Sequence, residues 1–185
     1  DATIADYLVD YMTDHVGEVY KIIESGQNVY LGSDLPKEYA WSKYSQRIRK
    51  RNQPLYRAKA RMASGVGDAI NIATNRRWEK TKHPGNKDAV YGIYKYDTKV
   101  AFPTYNEAGD FTGVQAYDIT LVIRNASNGR KYLYDVQNIK KDAFTANTLY
   151  SKSRGAAMKA AQQEKQAAQE KLSEAISALG GLFDA

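Results

Sequence analysis

Residues 94–102, with the sequence YKYDTKVAF, alternate aromatic or β-branched side chains with charged or small ones. Successive side chains of a β-strand point to opposite faces, so this alternation predicts a strand. The aromatic and β-branched residues that share one parity are Tyr94, Tyr96, Thr98, Val100 and Phe102.

Two stretches downstream of this strand are also typical of strands. They read VQAYDITLVIRN at residues 114–125 and RKYLYDVQNIKK at residues 130–141. The segment between them contains Asn128-Gly129, a pair that strongly favours a tight hairpin turn. Together the three segments predict a small antiparallel sheet.

Upstream of the strands, the pattern of apolar residues changes to helical spacing. Residues 3–25 carry an amphipathic stripe, and residues 37–51 and 55–74 are compatible with helices. Helices followed by antiparallel strands predict an α+β fold, in which N-terminal helices pack on a small antiparallel β-sheet. The tail is rich in Ala, Gln, Glu and Lys, which predicts a C-terminal Ala-rich helix.

These changes of pattern divide the chain into three predicted parts. Residues 1–26 are the N-terminal amphipathic helix, residues 27–145 are the α+β domain, and residues 146–185 are the C-terminal helical tail. The apolar stripe of the tail is narrow, so we expect a surface or partner-binding helix that contributes little to the core.

The composition excludes several kinds of site. The chain has no cysteine, so disulfides, thiolate zinc sites and cysteine nucleophiles are excluded. Phosphate-loop, dinucleotide and HExxH motifs are absent, so we expect no metal and no cofactor. No apolar run approaches the roughly 18 residues that a membrane span needs. The chain starts at Asp1 and not at Met, so we interpret it as a fragment of a longer protein. As a separate expectation, the protein acts in the cytoplasm of the producing or target cell.

The positive charge is concentrated in the middle of the chain. Residues 37–99 hold 16 Lys and Arg against five Asp and Glu, a net charge of +11, whereas residues 1–36 hold one against seven. Such a patch is expected for a polyanionic partner. The alternative is a solvated helix surface that binds nothing. The candidate nucleic-acid-binding residues are Arg47, Arg49, Lys50, Arg51, Arg76, Arg77, Lys95 and Asn138.

Cleavage of RNA is compatible with the absence of metal ligands. The 2′-hydroxyl can attack its own phosphodiester if protons are exchanged and cations stabilise the phosphorane. His83 is the best candidate for proton exchange, because imidazole titrates near neutrality. The alternative is that His83 is an exposed loop residue beside Pro84-Gly85.

Four blocks of the sequence carry a resemblance. YLGSDLP, IATNRRWE, HPGNKDAVYGIYKYDTKVAFP and KYLYDVQNIKK lie in order over residues 30–140. They resemble a C-terminal domain of polyvalent proteins from phages and mobile elements. That domain is associated with the ribonuclease superfamily of barnase, EndoU, colicin-type tRNases and RelE. The resemblance implies a toxin or effector ribonuclease that acts without a metal, with RNA as its partner, tRNA as a candidate substrate, and a cognate immunity protein.

The resemblance places site residues on matching segments. His83 and Lys87 match the segment before the tyrosine-rich strand, Tyr96 and Thr98 match that strand, and Asn138 and Lys140 match the last strand. In the resulting hypothesis His83 exchanges the proton. Lys87 and Lys140 stabilise the phosphorane, and Tyr96 or Thr98 positions the scissile phosphate.

The leading hypothesis is therefore a metal-independent endoribonuclease. The rival is a non-catalytic nucleic-acid-binding or docking module of a mobile-element protein. A third hypothesis, an ADP-ribosyltransferase toxin, lacks support because the sequence has no E-x-E or S-T-S stretch.

Overall fold

The computed structural model describes residues 2–83, 85, 87–142 and 150–183. Six α-helices are described, with two short 3₁₀ turns at Ala63–Gly65 and Lys87–Ala89. The helices are α1 (Ala2–Asp14), α2 (Leu35–Trp41), α3 (Lys43–Arg51), α4 (Gln53–Met62), α5 (Val66–Asn71) and α6 (Tyr150–Phe183). The strands are β1 (Val19–Lys21), β2 (Asn28–Leu31), β3 (Thr74–Glu79), β4 (Ile93–Tyr105), β5 (Phe111–Asn125) and β6 (Lys131–Lys141).

The six strands form one mostly antiparallel sheet in the order β1-β2-β6-β5-β4-β3. The β5–β6 hairpin turns at Gly129, whose φ of 81° is a conformation that glycine adopts without strain. β2 pairs in parallel with the start of β6, with Leu31 opposite Leu133. The predicted α+β class and the three predicted strands are confirmed.

The core lies between the helices and one face of the sheet. Leu8 and Met12 of α1, Tyr39 of α2 and Leu121 of β5 are all buried in it. One compact unit comprises Asp1–Pro103 and Gln115–Asp142. The predicted boundary at residue 26 is therefore not a structural boundary, because α1 contributes to the same core as the sheet.

The predicted helix over residues 3–25 is wrong beyond Asp14. Gly17 has a φ of 97°, a left-handed conformation that ends helices. The β-branched residues that follow favour extended backbone, and Val19–Lys21 pairs with β2. The apolar residues keep helical spacing beyond Asp14, although the backbone there is no longer helical. Spacing alone therefore placed the end of the helix too late.

The predicted helix over residues 55–74 is interrupted, and the strand after it was not predicted. The 3₁₀ turn Ala63–Gly65 separates α4 from α5, where glycine lowers helix propensity. Thr74–Glu79 forms the edge strand β3, whose side chains are almost all exposed. An exposed strand does not need apolar residues at alternate positions. Its sequence therefore lacks the pattern by which a strand is predicted.

A buried ion pair joins α4 to β6. Lys59 Nζ donates to Asp135 Oδ1 at 2.5 Å and to Ser45 Oγ at 2.6 Å, and both charged side chains are fully buried. Ser42 Oγ donates to Asp135 Oδ2 at 2.7 Å. Burial lowers the pKa of Lys59, and the carboxylate of Asp135 opposes that effect. The network fixes the helices that carry the basic residues against the sheet.

The C-terminal helix is confirmed, with the described side chains of residues 162–178 all exposed. Leu172 and Ile176, both in the predicted apolar stripe, are each 61% exposed. Among the described residues, no helix combines the length and apolar character needed to cross a membrane.

We expect a chain that ends at Asp142 to fold as the full chain does. The exposed side chains of residues 162–178 bury little apolar surface, so their removal should change the unfolding midpoint little. Circular dichroism and urea denaturation of the truncated and full chains measure this. The truncated chain should lose helical signal but keep a cooperative transition; loss of that transition would show that α6 is integral.

Candidate nucleic-acid interface

Helix α3 presents a row of cations to solvent. Lys43, Arg47, Lys50 and Arg51 are exposed and recur at three- and four-residue spacing, whereas Ile48 is buried. Ser42 caps the N-terminus of the helix, because its Oγ accepts from Ser45 N at 3.1 Å. From Lys43 to Arg51 the row covers about 12 Å at the helical rise.

Two arginines of α3 lie over aromatic rings. The Arg49 guanidinium is 4.7 Å from the Trp41 ring centroid, and that of Arg47 is 5.3 Å from Tyr44. Tyr44 is itself fixed, because its hydroxyl accepts from the Ile139 backbone N–H at 2.9 Å. Cation–π contacts of this kind orient a guanidinium while leaving its charge available.

Helix α4 packs beside α3 and extends the cationic surface. Arg57 and Arg61 are exposed and one turn apart. Arg61 lies 4.8 Å over the Phe102 ring, and its Nη2 donates to the Pro103 carbonyl at 3.5 Å. We call the six exposed cations of these helices the basic face. Its members are Lys43, Arg47, Lys50, Arg51, Arg57 and Arg61.

Within the described part of the chain, no member of the basic face forms an ion pair. A shallow groove beside it, between α1 and α2, is lined by Asp6, Asp10, Lys37 and Trp41. Carboxylates repel phosphates, so these two acids mark the edge of the surface that can attract a polyanion.

Two of the three predicted cationic binding residues of β3 and β4 form ion pairs. Arg77 pairs with Asp97 at 2.8 Å, and Lys95 pairs with Glu79 at 3.1 Å. Hydrogen bonds from Arg77 and then Asn75 lower the pKa of Asp97. Strand pairing places each of them beside a carboxylate, and the binding of nucleic acid by Arg77 and Lys95 stays a prediction. Arg76 instead stacks on Tyr94 at 5.0 Å.

Two predicted catalytic residues, Thr98 and Lys140, and the predicted binding residue Asn138 meet in a groove on the sheet. Thr98, Asn138 and Lys140 line it, with Lys99 and Asp118 beside them. Lys99 Nζ bonds Asp118 at 2.6 Å and Asp142 at 3.0 Å. The groove measures about 580 Å³ and is open to solvent. Among the described residues no group of three His, Asp or Glu side chains could hold a metal ion.

His83 and Lys87 do not line this groove. The Lys87 carbonyl accepts from Ser127 N at 2.9 Å, beyond the end of β5, whereas Lys140 lies opposite Asp118. The seven residue steps from Asp118 to Asn125 span about 23 Å of strand. The predicted single site is therefore wrong, because Lys87 and Lys140 lie near opposite ends of the sheet.

His83 is an exposed loop residue, which was the alternative interpretation. Its backbone N–H donates to Thr81 Oγ1 at 3.2 Å. The structure gives its imidazole no carboxylate or hydroxyl partner among the described residues. Nothing there orients it for proton exchange.

The two predicted strand hydroxyls face the helices. Tyr96 is 1% exposed, and its hydroxyl donates to Gln27 Oε1 at 3.0 Å. Thr98 Oγ1 donates to the Ala69 carbonyl at 2.7 Å. Tyr96 is a core residue, so its predicted role in positioning a phosphate is wrong. Thr98 lines the groove, but its hydroxyl proton is already donated to the Ala69 carbonyl.

The structure adds residues that were not predicted. Lys43, Arg57 and Arg61 belong to the basic face, and Trp41 and Tyr44 border it. The helical spacing of the cations in residues 43–51, with no acid among them, is a signal that could have found Lys43. No local pattern marks Arg61, since its place depends on the packing of α4 on Phe102.

The fold and the surface define an α+β domain whose helices α3 and α4 carry the basic face. The sequence matches no protein-family model and no curated protein.

Proposed function

We propose that this chain is a non-catalytic nucleic-acid-binding module that binds single-stranded RNA through the basic face. The observation that carries the proposal is the group of six exposed cations without ion-pair partners among the described residues. Phosphates release condensed counterions when such cations neutralise them, which drives binding.

Aromatic side chains at the border of the basic face favour a single strand over a duplex. Trp41 and Tyr44 are partly exposed beneath Arg49 and Arg47. Unpaired bases stack on aromatic rings and guanidinium planes, and a single strand presents such bases next to its phosphates. A strand along α3 would therefore meet both phosphate ligands and stacking partners.

A second candidate is the metal-independent endoribonuclease, and the sheet groove is the observation that favours it. Lys140 lines the groove and forms no ion pair among the described residues, so it would stabilise a phosphorane there. The groove carboxylates are engaged, Asp97 by Arg77 and Asp118 by Lys99. Neither is free to take the proton of a 2′-hydroxyl, which is why binding without cleavage is our first proposal.

We expect the chain to bind a fluorescein-labelled 20-nucleotide RNA in EDTA with steep salt dependence. If four to six phosphates are neutralised, the logarithm of the association constant should fall with the logarithm of salt with a slope of about −3 to −4. Fluorescence anisotropy between low and physiological salt measures the slope. A duplex DNA of equal charge should bind more weakly, and a flat salt response would contradict the proposal.

The same mixtures, run on a denaturing gel, separate the two candidates. Intact RNA after long incubation supports the binding module. Fragments that end in a cyclic phosphate support the endoribonuclease, and Lys140→Ala should then abolish them while His83→Ala should not. If His83→Ala abolishes cleavage that the wild type shows, then His83 takes part in the reaction.

A further inference from the structure

A pocket of about 190 Å³ lies at the end of the sheet where the β5–β6 turn meets the loop after β2. The parallel pairing of Leu31 with Leu133 brings these two segments together. The lining residues with polar side chains are Ser33, Asp34, Arg124, Ser127, Asn128, Tyr132 and Tyr134. Drug-sized ligands occupy about 300–1,000 Å³, so this pocket suits a small polar ligand.

Arg124 is held in a defined position in this pocket. Its guanidinium carbon lies 3.4 Å from the centroid of the Tyr134 ring. Tyr134 is the extra residue of a bulge, because Val122 pairs with Asp135 and Ile123 pairs with Leu133. Burial and then a hydrogen bond to the Glu38 carboxylate raise the pKa of Tyr134 to about 12. The neutral phenol is thus a fixed platform for the guanidinium.

The donors of Arg124 are unused within the described residues. Its guanidinium makes no ion pair and no hydrogen bond there, although it is only partly exposed. Glu38 is engaged by Tyr134, and Asp34 is not within ion-pair distance of Arg124. Stacking covers one face of the guanidinium, and the N–H groups in its plane remain available to a ligand.

Two hydroxyls and one carboxylate complete the polar lining. Ser33 and Ser127 are exposed, and their hydroxyls make no hydrogen bond to other described residues. Asn128 is committed, because its Nδ2 donates to the Tyr132 hydroxyl and its Oδ1 accepts from Arg130 N. A purely anionic ligand would be repelled by Asp34, so the ligand should also carry hydroxyl donors.

We propose that this pocket binds a ribose phosphate monoester, with Arg124 on the phosphate and Asp34 on the ribose hydroxyls. Bidentate guanidinium–phosphate pairing is the strong contact, and Ser33 and Ser127 add hydroxyl donors. The group could be a free nucleotide or the 5′-phosphorylated end of an RNA strand. The pocket does not use the basic face, so this proposal stands apart from the proposed function.

Isothermal titration of the full chain with adenosine 5′-monophosphate, inorganic phosphate and adenosine tests the proposal. The monophosphate should bind, phosphate should bind more weakly, and adenosine should not bind. Arg124→Gln should weaken the monophosphate at least about tenfold, since it removes charge-assisted hydrogen bonds. Arg130→Gln is the matched control, because Arg130 stacks on Tyr30 at 4.8 Å outside the pocket lining.

A second variant covers the case in which Arg124→Gln destabilises the fold. Ser33→Glu leaves the Arg124–Tyr134 stack intact and places a negative charge at an exposed position of the lining, so it should also weaken the monophosphate. Comparison of 5′-phosphorylated with 5′-hydroxyl RNA shows whether the ligand is a free nucleotide or the end of an RNA strand. A pocket that binds the end of a strand should prefer the phosphorylated RNA. Equal affinity of the wild type and both variants, or adenosine binding as tightly as its monophosphate, would overturn the proposal.

Discussion

Lys59→Met is expected to lower the free energy of unfolding by about 3–5 kcal/mol. The substitution leaves the Asp135 carboxylate fully buried without its cation. An uncompensated charge in the core loses the solvation that water gives it in the unfolded chain. Urea denaturation followed by circular dichroism measures the loss, and a loss of this size is a large share of the stability of a small domain.

The control for Lys59→Met is Lys95→Ala, which breaks the partly exposed pair with Glu79 at 3.1 Å. Exposed ion pairs contribute about 0–1 kcal/mol, so this variant should unfold nearly as the wild type does. The double variant Lys59→Met, Asp135→Leu should recover part of the lost stability, because it removes both charges. Equal effects of Lys59→Met and Lys95→Ala would contradict the structural account of the buried pair.

The triple variant Arg47→Ala, Lys50→Ala, Arg51→Ala is expected to bind RNA about 100-fold more weakly at about 0.1 M salt. Three lost phosphate contacts should reduce the salt slope by about 2, and over one decade of salt that slope amounts to about two orders of magnitude. The three side chains are exposed on α3, so the fold should be unaffected. Fluorescence anisotropy across a salt series measures both the affinity and the slope.

A matched control removes the same charge from a different part of the chain. Lys80, Lys82 and Lys87 are exposed, and their replacement by Ala changes the net charge equally. They flank His83, the residue that the sequence predicted for proton exchange in a ribonuclease. If the basic face is the interface, this control should lose little affinity. Equal losses in both triple variants would show that total charge, and not the face, governs binding.

The strands and the class of fold follow from short-range patterns. The alternation in residues 94–102 and the Asn128-Gly129 pair predict β4 and the β5–β6 hairpin, and both are present. The concentration of cations in residues 37–99 is also a property of the sequence. These features were predictable because alternation, turn chemistry and charge depend on neighbouring residues.

The candidate sites depended on contacts between distant residues. Asp135 meets Lys59 across 76 positions of the chain, and Arg77 meets Asp97 across 20, so sequence spacing did not reveal which cations are neutralised. The burial of Tyr96 was hidden for the same reason, since one parity of a strand faces the core only once helices pack on it. Lys87 and Lys140 were predicted to belong to one site. The pairing of the strands places them near opposite ends of the sheet.

The sequence by itself therefore determined which segments form the sheet and where the positive charge is concentrated, because both are local properties of the chain. Only the tertiary structure decided which cations stay free on α3 and α4, and which groups surround Arg124. The pocket needs the parallel pairing of β2 with β6 and a bulge at Tyr134. Burial and ion pairing depend on contacts between residues that are far apart along the chain, and only the packing of the fold brings those residues together.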